Sequence, residues 1–252
     1  MTDSDALWKT FLDVQDGLPR QGPGDAASTR RALALCTGLP ATPSVLDLGC
    51  GPGMQTLVLA EALAGPITAV DLVDGFLDQL RARAAAAGVA DRVTALEADM
   101  GALPFPPESF DLLWAEGSAY SIGIGHALRS WTPLLRPGGY LAVTELVWLI
   151  DEPPAEAASF FAAEYPAMAD VPTLLALVEG AGLEPMGHFV LPDTAWWTDY
   201  YTPLEAKLPT LRARYAADPD ALAVVENTAR EIDVRRRYGD AYGYAFAVGR
   251  RA

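Results

Sequence analysis

The chain has 252 residues, a hydrophobic fraction of 51% and a formal net charge of −15. This length suits one large α/β domain, and the acidic charge argues against nucleic-acid or anionic-membrane partners, which need basic patches. Two cysteines and two histidines exclude a disulfide framework and a Cys/His zinc cluster. No apolar stretch reaches the roughly 18 residues of a membrane span, and the acidic N-terminus is unlike a signal peptide. We therefore expect a cytoplasmic protein.

The first 150 residues predict helices alternating with apolar strands. Two helices, joined by the loop "PRQGPG", precede the strands "SVLDLG", "ITAVDL", "VTALEAD", "FDLLWAEG" and "YLAVTELVWL". Helices are expected between the strands, and the last of these, "HALRSWTPLLRPGG", is expected to end at its glycines. Such alternation predicts right-handed crossovers and a doubly wound parallel sheet. Strands that are apolar throughout indicate a sheet covered on both faces.

The pattern changes after residue 150. Two helices, a sixth strand "EPMGHFVLP", a helical stretch over residues 194–239 and a seventh strand "YGYAFAVGR" are expected. The predicted fold is α/β, a Rossmann-like doubly wound sheet of seven strands with the last strand antiparallel, N-terminal helices, and a helical insertion before that last strand. We predict a single domain over 1–252, made of N-terminal helices that form part of a lid (1–40), a cofactor-binding core (41–150), helical additions shaping a substrate pocket around strand six (151–239) and the last strand (240–252).

A glycine-rich turn follows the first strand. Gly49, Gly51 and Gly53 suit tight backbone angles and close approach to a ligand. Asp71 ends the second strand, where a carboxylate can accept both hydroxyl protons of a ribose. Asp99 and Met100 end the third strand, where they suit the amine and the flat face of an adenine. The three strand ends therefore predict an adenosine site.

Two cofactors that contain adenosine fit this pattern, NAD and S-adenosylmethionine. A pyrophosphate can be held by a helix N-terminus alone, so the lack of basic residues in the turn does not exclude NAD. The carboxylates of Asp47, Asp71, Asp99 and Glu116 favour the sulfonium cation of S-adenosylmethionine. The two lysines of the chain do not form the Tyr-x-x-x-Lys pair of a short-chain reductase. A nucleotide-dependent oxidoreductase and a non-catalytic S-adenosylmethionine-binding protein remain the alternatives.

The segments "VLDLGCGPG", "AVDLVDGFL", "EADMGALPFPPESFDLLWAEGSAYSIG" and "LLRPGGYLAVTE" closely resemble the successive motifs of class I S-adenosylmethionine-dependent methyltransferases. The resemblance covers roughly residues 40–148 and is to the small-molecule branch that includes the ubiquinone/menaquinone-biosynthesis type enzymes. It implies that the turn from Asp47 to Gly53 faces the methionine part, with Asp71 on the ribose and Asp99–Met100 on the adenine. The expected cofactor-binding residues are Gln21, Asp47, Gly49, Gly51, Gly53, Gln55, Asp71, Leu72, Asp99, Met100 and Glu116.

Methyl transfer is an in-line displacement, for which the enzyme aligns the partners and excludes water. The end of the fourth strand, where this fold places the reacting methyl, reads "AEGS" rather than an Asn-Pro-Pro or Asp-Pro-Pro motif, which disfavours nucleic-acid methylation. Glu116, Tyr120 and His126 are the catalytic candidates. Each has a structural alternative: a strand-end hydrogen bond for Glu116, loop packing for Tyr120 and a helix start for His126.

The aromatic segment "TAWWTDYY" lies in the insertion and is expected to wall an apolar or cationic acceptor. The alternative is an aromatic cluster that anchors the insertion to the sheet. No metal is expected, because Asn227 is the only asparagine and a metal-dependent catechol-type site needs one near the fourth strand. A homodimer stays open, as do the identity of the acceptor and the atom methylated. The expected substrate-binding residues are Tyr120, Trp196, Trp197, Tyr200 and Tyr201.

Overall fold

A computed structural model describes residues 3–252, with side chains from residue 6 onward. Over this range the chain forms one mixed sheet with helices on both faces. The strands are β1 Val45–Leu48, β2 Ile67–Asp71, β3 Val93–Glu97, β4 Phe110–Glu116, β5 Leu135–Trp148, β6 Ala169–Asp170, β7 Leu183–Val190 and β8 Tyr242–Arg251. The helices are α1 Asp3–Gln15, α2 Ala26–Leu33, α3 Met54–Ala62, α4 Asp74–Ala86, α5 Ile124–Trp131, α6 Ala155–Glu164, α7 Val171–Gly180, α8 Thr194–Trp196, α9 Thr202–Arg214 and α10 Pro219–Tyr238.

The sheet has the order β3-β2-β1-β4-β5-β8-β7, and β6 pairs with the end of β5. Strands β1 to β5 are parallel, and β8 runs antiparallel between β5 and β7. The predicted doubly wound sheet of seven strands with an antiparallel last strand is confirmed. The eighth strand, β6, is a two-residue pairing, too short to leave a periodic signal in the sequence.

The helix expected to end at Gly138–Gly139 ends earlier. Helix α5 stops at Trp131, a short 3₁₀ turn follows, and β5 begins at Leu135. Leu135 pairs with Phe110, and a shift of register before the next pair lets β5 accommodate the extra residues. The glycines therefore lie inside a strand with an irregular pairing rather than at a helix end.

The insertion is divided into several helices. After α8, residues Trp197–Tyr201 form a π-helical turn that leads into α9. A break at residues 215–218 precedes α10, whose first residue is Pro219 and whose N-cap Asp218 accepts a hydrogen bond from the Ala221 N–H. Proline at the first position starts a helix without losing a backbone hydrogen bond.

The core is divided by the sheet. Trp131 is buried on one face and Trp114 on the other, where Trp114 packs edge-to-face on Phe246 at 5.4 Å between ring centroids. A further apolar cluster joins the N-terminal helix to the insertion around Trp196 and Tyr242. Within the part of the chain that the structure describes, no helix combines the length and hydropathy needed to span a membrane.

Candidate functional site

The glycine turn connects the carboxyl end of β1 to α3 through left-handed backbone conformations. Gly49 has φ of 68° and Gly53 has φ of 85°. A Cβ at Gly49 would lie 2.4 Å from the Ser118 Cβ, and one at Gly53 would lie 2.2 Å from the Leu80 Cδ1. Both positions need glycine for two reasons, the backbone conformation and the close approach of a neighbouring side chain.

Two aspartates hold this turn from different sides. The Asp71 carboxylate accepts hydrogen bonds from the Gly51 N–H at 2.8 Å and the Val73 N–H at 2.9 Å. Burial raises its pKa, and these two hydrogen bonds oppose the rise. Asp47 is fully buried beneath the turn, where burial raises its pKa to about 7 although Thr56 Oγ1 donates to it at 2.6 Å. Asp47 therefore supports the turn from within the core.

A cavity of about 230 Å³ opens above the turn, at the carboxyl ends of β1, β2 and β4. Asp47, Gly53 and Asp99 are not among the residues that line it. Asp99 is exposed, and its Oδ1 accepts a hydrogen bond from the Gly101 N–H at 2.8 Å, whereas its neighbours Ala98 and Met100 do line the cavity. The predicted cofactor residues that line it are Gln21, Gly49, Gly51, Gln55, Asp71, Leu72, Met100 and Glu116.

The end of β4 is tied to the N-terminal segment by a buried ion pair. Arg20 Nη1 lies 3.0 Å from Glu116 Oε2, and the two side chains are 6% and 4% exposed. Glu116 Oε1 accepts hydrogen bonds from Thr29 Oγ1 at 2.7 Å and Trp114 Nε1 at 2.9 Å. Both carboxylate oxygens of Glu116 therefore have partners, and its ion pair with Arg20 holds the loop that carries Gln21.

A second, larger cavity of about 820 Å³ adjoins the first. Gln21, Gly117 and Tyr120 line both cavities and mark their junction. Of the aromatic residues expected to bind substrate, Tyr120, Trp196, Tyr200 and Tyr201 line the larger cavity.

Two further predicted residues, Trp197 and His126, also lie outside both cavities. Trp197 is half-buried and packs against the apolar cluster of the insertion, with the Arg236 guanidinium 5.2 Å from its ring centroid. His126 is exposed on α5 and is absent from the lining of either cavity. Helix α5 packs against the core through another face, which contains Ala127 and Leu128, and the His126 side chain therefore faces away from the site.

Comparisons with known proteins agree with this geometry. Residues 45–139, from β1 to the glycines of β5, match the family model described as a methyltransferase domain. The structure is also similar over 96% of this chain to an S-adenosylmethionine-dependent methyltransferase from Geobacter sulfurreducens in complex with S-adenosyl-L-homocysteine (TM-score 0.80, 21% identity, 97% of that chain). The fold predicted from the motifs is confirmed, and the family that they predict is supported over residues 45–139.

Curated relatives match this chain over about half of its length. One is a 27-O-demethylrifamycin SV methyltransferase of Amycolatopsis mediterranei, 34% identical over 126 residues that cover 49% of this chain and 46% of that protein. Another is a ubiquinone/menaquinone biosynthesis C-methyltransferase of Psychromonas ingrahamii, 31% identical over 135 residues that cover 52% and 54%. The chain thus spans about half the length of these curated relatives.

Several polar residues near the larger cavity gave no signal in the sequence. Glu145 on β5 is buried and accepts a hydrogen bond from the hydroxyl of Tyr165, which lines the cavity. Glu231 on α10 also lines it and accepts a hydrogen bond from the Tyr201 hydroxyl at 2.7 Å. Arg20 did stand in a loop that the sequence singled out, but its partner Glu116 is 96 residues away.

The crowding at Gly49 leads to a prediction about the stability of the protein. We expect Gly49→Ala to lower the free energy of unfolding by about 3 kcal/mol or more, since it adds a clash with Ser118 to the roughly 1–2 kcal/mol cost of a left-handed alanine. Gly88→Ala is the matched control, because Gly88 has φ of 70° and no neighbouring atom within 4 Å of its Cβ position. Urea unfolding of both variants measures the difference. Equal losses in the two would contradict the steric argument.

Proposed function

We propose that this chain is an S-adenosylmethionine-dependent methyltransferase that acts on a small-molecule acceptor. The observation that carries the proposal is the pair of adjoining cavities. One lies over the glycine turn and Asp71, the other is large and aromatic, and the two meet at Tyr120. A cofactor above the turn and an acceptor in the aromatic cavity would therefore approach each other at a common boundary.

The residues of the smaller cavity fit S-adenosylmethionine. Gln21 Oε1 is buried without a hydrogen-bond partner, although Gln21 Nε2 donates to the Gln15 carbonyl at 3.1 Å. A cofactor with an amino group and ribose hydroxyls supplies the donors that this oxygen and the Asp71 carboxylate can accept. A Cβ at Gly51 would lie 3.3 Å from Gln21 Oε1, so glycine keeps this part of the cavity open.

The same residues do not favour a nicotinamide cofactor. Among the described residues that line the smaller cavity, Arg20 is the one basic side chain, and Glu116 neutralises it. A pyrophosphate there would have to be held without a free cation, next to the carboxylate of Asp71. The charge of this cavity thus supports the sulfonium cofactor over the oxidoreductase alternative.

S-adenosylmethionine, when bound, supplies an electrophilic methyl group for an in-line displacement. The chain's own contribution is to align the acceptor and exclude water. Tyr120 stands at the boundary of the cavities, and its ring packs edge-to-face on Tyr165 at 5.9 Å. Although 47% of Tyr120 is exposed, desolvation of its hydroxyl and the negative charges of Glu231 and Glu145 raise its pKa, so the hydroxyl keeps its proton and can orient an acceptor as a neutral donor.

The Tyr165–Glu145 pair is the group we propose for taking up the proton that the acceptor loses. Tyr165 lines the larger cavity, and its hydroxyl donates to Glu145 Oε1. Burial raises the pKa of Glu145 to about 7, which is close to that of an effective general base at neutral pH. Tyr165 would pass its own proton to Glu145 while its oxygen accepts one from the acceptor. His126, which is exposed on α5, is less well placed for this task.

The two cavities and the net charge also bear on the partners and on the division of the chain. A small-molecule acceptor is supported by the enclosed aromatic cavity, and the net charge of −15 supports the absence of a nucleic-acid partner. The division into a lid over residues 1–40, a core and an insertion is supported by the loop at 20–23, which lines both cavities. The cytoplasmic location and a homodimer stay predictions.

Calorimetric titration with S-adenosylmethionine, S-adenosylhomocysteine and NADH tests the proposed function. We expect micromolar binding of the first two and no measurable binding of NADH. Asp71→Ala should weaken the binding of S-adenosylhomocysteine about 100-fold, because it removes the charged group that accepts hydrogen bonds from two ribose hydroxyls. Asp91→Ala, at an exposed aspartate outside the cavity lining, is the matched control and should bind as wild type does.

Binding of NADH alone would overturn the proposal and favour the oxidoreductase. Binding of S-adenosylmethionine without methyl transfer to any member of a broad acceptor panel would favour the non-catalytic alternative. Asp71→Asn provides a second variant that keeps one side-chain acceptor for the Gly51 and Val73 N–H groups, so that a loss of affinity can be separated from a collapsed turn.

A further inference from the structure

The Glu231 side chain is half-buried, and no basic side chain among the described residues pairs with its carboxylate. Its Oε1 accepts the hydrogen bond from Tyr201, and its Oε2 accepts none from any group that the structure describes. The neighbouring charge that acts on it is that of Glu164, which is also negative and, together with burial, raises the pKa of Glu231. Buried carboxylates are normally paired, so this one leaves an acceptor and a negative charge facing the cavity.

The basic residues nearest to Glu231 along α10 are engaged elsewhere. The Arg230 guanidinium lies over the Phe160 ring at 5.5 Å from the centroid. Arg235 pairs with Asp193 at 2.8 Å and donates to the Tyr242 carbonyl. Neither Arg230 nor Arg235 is therefore the partner of Glu231, and the cavity itself is the direction from which a cation could come.

The rest of the larger cavity has the same chemical character. The charged side chains among its described lining residues are Glu164, Asp220 and Glu231, and lysine, arginine and histidine are absent from that lining. Aromatic faces attract cations, and they also bury apolar surface. The aromatic residues along its wall include Phe160, Phe161, Trp196, Tyr200, Tyr201 and Tyr244.

Two buried polar atoms of this wall have no hydrogen-bond partner among the residues that the structure describes. Gln15 is 4% exposed, lines the cavity, and its Oε1 has no hydrogen-bond partner. Trp196 is 2% exposed, lines the cavity, and its Nε1–H also has none. Buried polar atoms are rarely left without partners, so a ligand with N–H donors and a separate oxygen acceptor would satisfy both.

We propose that the larger cavity takes amphiphilic amines, whose ammonium group pairs with Glu231 while an apolar body lies against the aromatic wall. That such a ligand is the methyl acceptor rests on the proposed function. The ammonium is the anchor of the acceptor, and Glu231 is the residue that selects it over neutral and anionic molecules of the same shape. Glu164 and Asp220, which are exposed, add to the negative charge around the cavity.

Three indoles of similar size test this selectivity: tryptamine (cationic), tryptophol (neutral) and indole-3-propionate (anionic). Each is titrated calorimetrically into the full chain at pH 7.5 with saturating S-adenosylhomocysteine. We expect tryptamine to bind about tenfold or more tightly than tryptophol, and indole-3-propionate to bind most weakly. Glu231→Gln keeps an acceptor for the Tyr201 hydroxyl and should lower the affinity for tryptamine to that for tryptophol.

Glu184→Gln is the charge-matched control, because Glu184 is exposed on β7 and should leave the tenfold preference intact. Any of three results would overturn the inference. Wild type could bind tryptophol as tightly as tryptamine, it could bind none of the three indoles measurably, or the two variants could lose the preference equally. S-adenosylhomocysteine binding, measured first and alone, reports separately on the proposed function. If S-adenosylhomocysteine does not bind but the preference for tryptamine remains, the methyltransferase assignment is wrong and the amine site is still supported. The thermal unfolding midpoint shows that Glu231→Gln is folded.

Discussion

Replacing Glu116 by glutamine is expected to lower the free energy of unfolding by about 3 kcal/mol or more. The change leaves the Arg20 guanidinium in a site where it is 6% exposed without a compensating charge. Glutamine can still accept the hydrogen bonds from Thr29 and Trp114, so the loss reports on the missing charge rather than on missing volume. Urea unfolding, followed by tryptophan fluorescence at pH 7.5, measures it.

The exposed pair Arg212–Glu226 provides the control. Its side chains are 43% and 50% exposed, so Glu226→Gln should cost less than about 1 kcal/mol. Pairing Glu116→Gln with Arg20→Met removes both charges and should recover much of the loss, because an apolar side chain needs no partner. A Glu116→Gln protein as stable as Glu226→Gln would show that the pair does not hold the loop.

Replacing Glu145 by glutamine is expected to change how stability depends on pH. Folding raises the pKa of Glu145 from 4.5 to about 7, so the folded state holds a proton that the unfolded state releases. Its contribution to stability is complete below pH 4.5 and is lost as the pH rises to about 7. Between pH 5 and pH 8 wild type should therefore lose about 2–3 kcal/mol that Glu145→Gln does not lose.

Urea unfolding at half-unit pH steps from 5 to 8 measures this difference. Asp47, whose pKa is also about 7, contributes equally to both proteins and cancels in the comparison. Tyr165→Phe should shift the Glu145 transition upward, because the Tyr165 hydroxyl lowers the pKa of Glu145 by donating to it. Glu97→Gln, at an exposed position on β3, should follow wild type. Parallel pH profiles for wild type and Glu145→Gln would show that Glu145 is not a proton acceptor at neutral pH.

The cofactor side of the site could be predicted because its signals are local. Gly49, Gly51 and Asp71 lie at the ends of strands whose apolar pattern is plain, and parallel strands bring their carboxyl ends to one edge of the sheet. The structure places all three along the smaller cavity. Contact between these residues and a cofactor stays a prediction.

Side-chain direction was harder to predict. His126 lies on α5 near the correct edge of the sheet, but the helix presents its other face to the core. Trp197 stands beside Trp196 in sequence, yet the π-helical turn that begins there directs only Trp196 to the larger cavity. Such outcomes depend on how a helix is rotated against its neighbours, and the rotation is set by packing that a short motif does not encode.

The sequence alone determined the succession of strands and helices along the chain, the glycine turn and the acidic character of the cofactor edge, because hydrophobic periodicity and glycine are signals of neighbouring residues. Tertiary structure alone decided that Glu116 is neutralised by Arg20, that Glu145 is buried against Tyr165 and that Glu231 faces a cavity without a cation. The state of a carboxylate depends on its desolvation and on partners brought from distant segments, such as the 96 residues that separate Arg20 from Glu116. For this protein, the sequence therefore predicts a cofactor site, whereas the tertiary structure decides which carboxylates are paired and which are not.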